Sequence, residues 1–121
     1  MRIEECYQEM GGDYADVSTR LPSPKLIHRF VLKFLEDKSY EMLCDAMESG
    51  DREASFRVAH TLKGVCANLG FARLQESASA LTEILRPEGA AIPESAFALL
   101  EQVCGDYQVT VGAIRRYMEE A

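Results

Sequence analysis

His60, Lys63 and Gly64 are the residues of this chain whose types and spacing could do chemistry. They lie in the stretch D-R-E-A-S-F-R-V-A-H-T-L-K-G-V-C-A-N-L-G, which runs from Asp51 to Gly70. Asp51 follows Gly50 and reads as a helix N-cap, with Glu53 in the first turn where the helix dipole favours negative charge. Gly70 reads as the stop just past the C-terminus. Between them lie about five helical turns. On a wheel of about 100° per residue, Ser55, Val58, Leu62, Val65, Cys66 and Leu69 gather on one side, with Ala59 at its edge. That side is the expected core face. His60 points away from it, among Glu53, Phe56, Arg57, Lys63, Gly64 and Ala67.

An exposed imidazole titrates at a pKa of about 6.5, so near neutral pH one ring nitrogen is free to act as a nucleophile. A phosphoryl group placed on it would be anionic. Lys63, three residues on, shares that side of the helix and can offset the charge. Gly64 costs about 1 kcal/mol relative to Ala in a helix interior, and no turn or cap needs it there. Ala67 is small, and Phe56 is apolar where a solvated face would be polar. These departures make sense if another surface must approach His60 closely. Phosphoryl transfer depends mostly on positioning and charge stabilisation. A partner could therefore bring the metal and the acceptor carboxylate, while the helix brings the histidine, a cation and a clear approach. A helical histidine taken alone is more often an ordinary surface or core residue. The outward position, the costly glycine and the lysine spacing tell against that here.

The segment H-T-L-K-G followed by L-G resembles the histidine phosphotransfer (HPt) domain, whose core pattern is H-x-L-K-G, a stretch of small residues, then L-G. It stands here as His60, Leu62, Lys63, Gly64, Leu69 and Gly70. The resemblance extends more weakly over about Pro22 to Tyr117. It implies a phosphocarrier of a two-component His–Asp phosphorelay, not an enzyme in its own right. His60 would take a phosphoryl group from an aspartate of one receiver domain and pass it to another. Lys63 would screen the phosphoryl charge, and Phe56, Gly64 and Ala67 would form the docking patch. The implied partners are response-regulator receiver domains and hybrid sensor histidine kinases. No cofactor is expected on this chain, because Mg²⁺ belongs to the partner receiver. In such proteins a polar side chain of the following helix reaches the histidine. That position falls on Thr82, with Ser79 and Glu83 as neighbours. A different class remains open, a helical docking module that regulates a kinase or receiver without transferring phosphate.

Composition narrows the field. The 121 residues are 47% hydrophobic, enough for one domain with a proper core. A formal net charge of −7 tells against general nucleic-acid binding, which needs a basic footprint. No apolar run approaches the ~20 residues of a membrane span, and M-R-I-E-E-C-Y does not read as a signal peptide. The expectation is a monomeric, cytoplasmic protein, with Met1 pointing to a free-standing chain. Cys6, Cys44, Cys66 and Cys104 form no C-x-x-C pair and are expected as buried, reduced thiols rather than metal ligands. The chain carries no P-loop or kinase glycine motif.

The elements that must position His60 follow from the punctuation. Strand signals are absent. A short helix is expected over Ile3 to Met10, ended by Gly11-Gly12, and a second one capped by Asp13 to about Leu21. Ser23 is an N-cap with Pro24 at the first helical position. The next helix carries Leu26, Ile27, Phe30, Val31, Phe34 and Leu35 at 3–4 spacing, an apolar stripe. His28 lies beside that stripe and reads as a structural or surface residue. Asp37-Lys38-Ser39 interrupts, and Ser39 caps a segment to Ser49. The resemblance implies that this segment and the His60 helix can behave as one long, bent helix, as the pair often does in HPt-like bundles. Phe71 to Arg86 and about Pro93 to Glu119 supply the last two helices, with Gly105 and Gly112 in the latter read as close-packing positions. The whole predicts an all-α, up-down-up-down four-helix bundle over residues 22–119, with short additional N-terminal helices over 1–21.

Overall fold

The computed structural model describes residues 1–120, and among them there is no strand. The elements are α1 (Ile3–Met10), α2 (Tyr14–Arg20), α3 (Pro24–Lys33), a 3-10 turn (Phe34–Glu36), α4 (Ser39–Ser49), α5 (Arg52–Leu69), α6 (Ala72–Leu85) and α7 (Ser95–Glu120). Helices α4 to α7 form an up-down-up-down bundle, whereas the expected one began at residue 22: α3 lies at the edge of the four and is not one of them. α5 packs between α4 and α6, and α7 closes the ring against both. α1 lies along α7, while α2 and α3 reach α5 from outside the four. None of the described helices is long and apolar enough to cross a membrane.

The predicted stops and starts are met where local chemistry dictates them. Gly11, Gly50 and Gly70 end α1, α4 and α5 in the left-handed conformation. The Asp13 and Asp51 carboxylates accept from the backbone N–H of Asp16 and Ala54 at 2.9 and 3.0 Å. Because Gly50 turns the chain and Asp51 starts a new helix, α4 and α5 are separate neighbours, not one bent rod. Two expected caps differ. Ser23 holds the N-cap position of α3, but its side chain makes no cap hydrogen bond. At α4 the capping side chain is Asp37, which accepts from the Ser39 N–H at 2.8 Å, while Ser39 is itself the first helical residue and is buried.

The core face of α5 is turned slightly from the expected one. Ala59, Leu62 and Cys66 are fully buried, whereas Val58 and Val65 are half-buried at its margins. On α3, Ile27 and Val31 are buried but Phe30 stays 38% exposed, since α3 runs along the edge of the bundle. His28 bridges α3 to α7: its Nδ1 lies 2.5 Å from the Tyr117 hydroxyl, and the two rings meet edge-on. Cys6 and Cys66 are buried, and burial pushes their thiols up to about 11 and about 12. Cys44 and Cys104 are only half-buried, and all four are free. A Cβ at Gly105 would meet nothing within 4 Å, and one at Gly112 only the Arg116 side chain of its own helix, so close packing does not account for either glycine.

What fixes α5 is the satisfaction of its last carbonyls, which no helix can pair within itself. The Phe71 N–H closes on Cys66 at 2.9 Å and the Gly70 N–H on Ala67. The other partners come from the N-terminal helices. Arg20 of α2 donates to the carbonyls of Ala67 and Asn68 at 2.7 and 3.3 Å, held by two bonds to Asp16. The Tyr7 hydroxyl of α1 donates to Leu69 at 2.6 Å, and the Asp13 N–H to Gly70 at 2.7 Å. Gly70 is required twice over. Its φ is +70°, and a Cβ there would sit 2.7 Å from the Asp13 carbonyl oxygen.

Leu62 is fully buried on α5, two residues past His60. Leu62→Ala should therefore cost roughly 2–5 kcal/mol in denaturant unfolding. A neutral result would place the core on another face of the helix.

Candidate functional site

His60 sits near the middle of α5 and its side chain is exposed, on the face opposite Leu62. Thr61 beside it turns its hydroxyl back onto the Arg57 carbonyl at 3.0 Å, so it offers no donor to the imidazole. Lys63 is half-buried and, among the described residues, makes no ion pair. Its ammonium is therefore not committed elsewhere. Arg57, three residues before His60, pairs with Glu53 at 3.3 Å. Gly64 is exposed, and a Cβ built there would meet nothing within 4 Å. Nothing inside the chain needs the glycine. Ala67 is half-buried, one turn further along.

Phe56, one turn before His60, is half-buried against the core. Its ring lies nearly parallel to the imidazole, 18° apart with centroids 6.2 Å apart. The Arg86 guanidinium lies over the Phe56 ring, 5.2 Å from its centroid. Arg86 is steadied by Glu83, through bonds of 2.7 and 2.8 Å. Arg52 ties the start of α5 to the end of α6 by donating to the Leu85 carbonyl and, at 3.5 Å, to that of Arg86.

One expected neighbour is displaced. Thr82 is fully buried among the core side of α6, and its hydroxyl donates to the Ala78 carbonyl at 2.7 Å. A hydroxyl has one proton to give, and this one is spent within the helix. Thr82 therefore does not serve as a donor to His60. Ser79 is half-buried and Glu83, on the exposed side, is engaged with Arg86. Among the described residues no side chain hydrogen-bonds either ring nitrogen of His60. Arg86 was not anticipated as part of this surface, because it read as the end of a helix and the start of a loop. The Phe56–His60 pairing was open to notice, since residues four apart on a helix are neighbours.

The arrangement presents an imidazole on an open face, an uncommitted cation and room for a close approach. A family model for the Hpt domain matches residues 34–118. The chain belongs to the Hpt domain family. Hpt domains are phosphocarrier modules of phosphorelays, and the family works with receiver domains and histidine kinases. No curated protein and no solved structure matches the chain. The matched span takes in α4 to α6 and nearly all of α7, while α1 to α3 lie before it.

Since Gly64 is free of contacts within the fold, Gly64→Ala should stabilise this Hpt domain by up to about 1 kcal/mol in thermal or denaturant unfolding. A destabilised variant would mean that the fold itself requires the glycine.

Proposed function

We propose that His60 is the phosphorylated residue of this Hpt domain, and that the chain works as a monomeric, cytoplasmic carrier between receiver-domain aspartates. The observation that carries this reading is the exposed His60 on a rigid helix with Lys63 and the contact-free Gly64 on the following turn. In the forward step the lone pair of an imidazole nitrogen attacks the phosphorus of an aspartyl phosphate. The N–P bond forms, the acyl O–P bond breaks, and the carboxylate leaves with the electron pair. The reverse step hands the group to a second aspartate. Lys63, three residues on from His60 along α5, offsets the charge of the phosphoryl oxygens. Gly64 and Ala67 leave space for the loops of the receiver, and Phe56 adds apolar surface to the docking patch. The acceptor carboxylate and the Mg²⁺ belong to the receiver.

Thr82 favours a second reading. With its hydroxyl turned into α6, the imidazole lacks the polar neighbour that the resemblance implies. A docking module that binds a kinase or receiver without carrying phosphate would not need one.

Transfer from a panel of phosphorylated receiver domains separates the two. The native chain should gain acid-labile, base-stable label. His60→Gln should gain none, while its stability stays within about 0.5 kcal/mol, as expected for an exposed side chain. Lys63→Gln should slow transfer by roughly tenfold or more, since hydrogen bonds to charged groups contribute about 1.5–3 kcal/mol. Equal binding of a receiver to the native chain and to His60→Gln, with label on neither, would instead establish the docking module.

A further inference from the structure

Phosphoryl transfer between two folded partners needs the imidazole in one orientation, because a receiver presents its phosphoryl group from a fixed direction. An exposed side chain on a helix would otherwise sample several rotamers. A hydrogen bond to one ring nitrogen is the usual way to hold a histidine. Here that device is missing among the described residues, and Thr82 is turned away. What the imidazole does have is an aromatic face beside it. The Phe56 ring lies 18° from parallel at 6.2 Å, an offset stack in the favourable range for ring pairs.

Phe56 is itself restrained. Its inner side packs against the core. Its outer side borders an open cleft of about 510 Å³ between the start of α5 and the loop after α6, where Arg52, Arg57 and Glu88 also stand. The Arg86 guanidinium covers the ring there, anchored in turn by Glu83. The phenyl ring thus neighbours both the Arg86 cation and the His60 imidazole. We propose that Phe56 is a positioning residue: its ring, held beneath Arg86, sets the rotamer of the His60 imidazole by face contact. The chemistry favours this device. The nitrogens of an imidazole lie at its edge, so a face contact orients the ring and leaves both nitrogens open. A hydrogen bond would occupy one of them and fix the tautomer. The inference rests on the phosphotransfer reading and gives Phe56 a role beyond apolar docking surface.

The test compares Phe56→Leu, which keeps apolar bulk but removes the flat ring, with Phe56→Tyr, which keeps the ring. Single-turnover transfer is measured against concentration of the phosphorylated receiver domain that reacts with the native chain. Phe56→Leu should lower the maximal rate roughly ten- to a hundred-fold and leave the half-saturating concentration unchanged. Its reactivity toward phosphoramidate should be spared, because a small diffusing donor can reach any rotamer. The ring-proton NMR signals of His60 should move in Phe56→Leu, through loss of the phenyl ring current, and stay in place in Phe56→Tyr, which should also keep the native rate. A loss confined to receiver affinity, or unchanged rate and ring signals in a folded Phe56→Leu, would overturn the proposal. If the native chain takes phosphate from no receiver, the failure lies with the phosphotransfer reading itself.

Discussion

The carbonyl end of α5 is the constraint on which the rest depends. The 18-residue helix that carries His60 can present that side chain in a fixed place only if it holds still itself, and its last carbonyls cannot be paired from within. Here five successive carbonyls, from Cys66 to Gly70, each find a donor. Four of these five draw on α1 and α2 or the turn between them, elements that lie before the family match. The N-terminal helices are therefore part of the device that holds His60, and not an ornament on the bundle. Their own placement follows from the same contacts. Tyr7 is buried because its hydroxyl must reach Leu69, and its ring then packs on Tyr14 and Phe71.

The opposite end of α5 is tied by charge. Arg52 reaches the carbonyls that end α6, as Arg20 reaches those that end α5. A guanidinium suits both places, because its planar fork can serve several acceptors at once. With both ends held, the middle of the helix needs little beyond its buried stripe. The outer face is then free to be shaped for a partner. That explains how a helix can tolerate Gly64 at its surface: the loss of about 1 kcal/mol falls on an element braced from both sides.

Much of this was legible before any coordinates, and for local reasons. Gly11, Gly50 and Gly70 end helices because the left-handed conformation favours glycine, and Asp13 and Asp51 begin them because a short carboxylate reaches a free N–H. The outward direction of His60 followed from periodicity alone. The features that escaped depend on side chains distant in sequence or on a choice between equal local options. Arg20 and Tyr7 meet α5 across 47 to 62 residues, and no spacing rule reports that. The buried Asp106 was not singled out either. It is held by Arg73 at 2.9 Å and Gln102 at 3.2 Å, a satisfied charge that only the fold reveals. Thr82 misled for a subtler reason. A threonine in an apolar stretch reads as polar surface, but its hydroxyl can fold back to the carbonyl four residues earlier and bury itself.

Thr82 and Phe56 then belong to one argument. When a polar neighbour withdraws into its own helix, an exposed imidazole has two remaining ways to be ordered: by the partner on arrival, or by a contact within its own helix. The first leaves an entropic cost to each encounter, because the ring must be fixed while the complex lasts. The second removes that cost beforehand and needs only a flat side chain four residues away. Residue 56 is aromatic on a face where a charged residue would have served solubility better, and a cation from the next helix lies across it. The same ring that looks like exposed apolar surface in the sequence thus has a neighbour beside it in the fold, and that neighbour is His60.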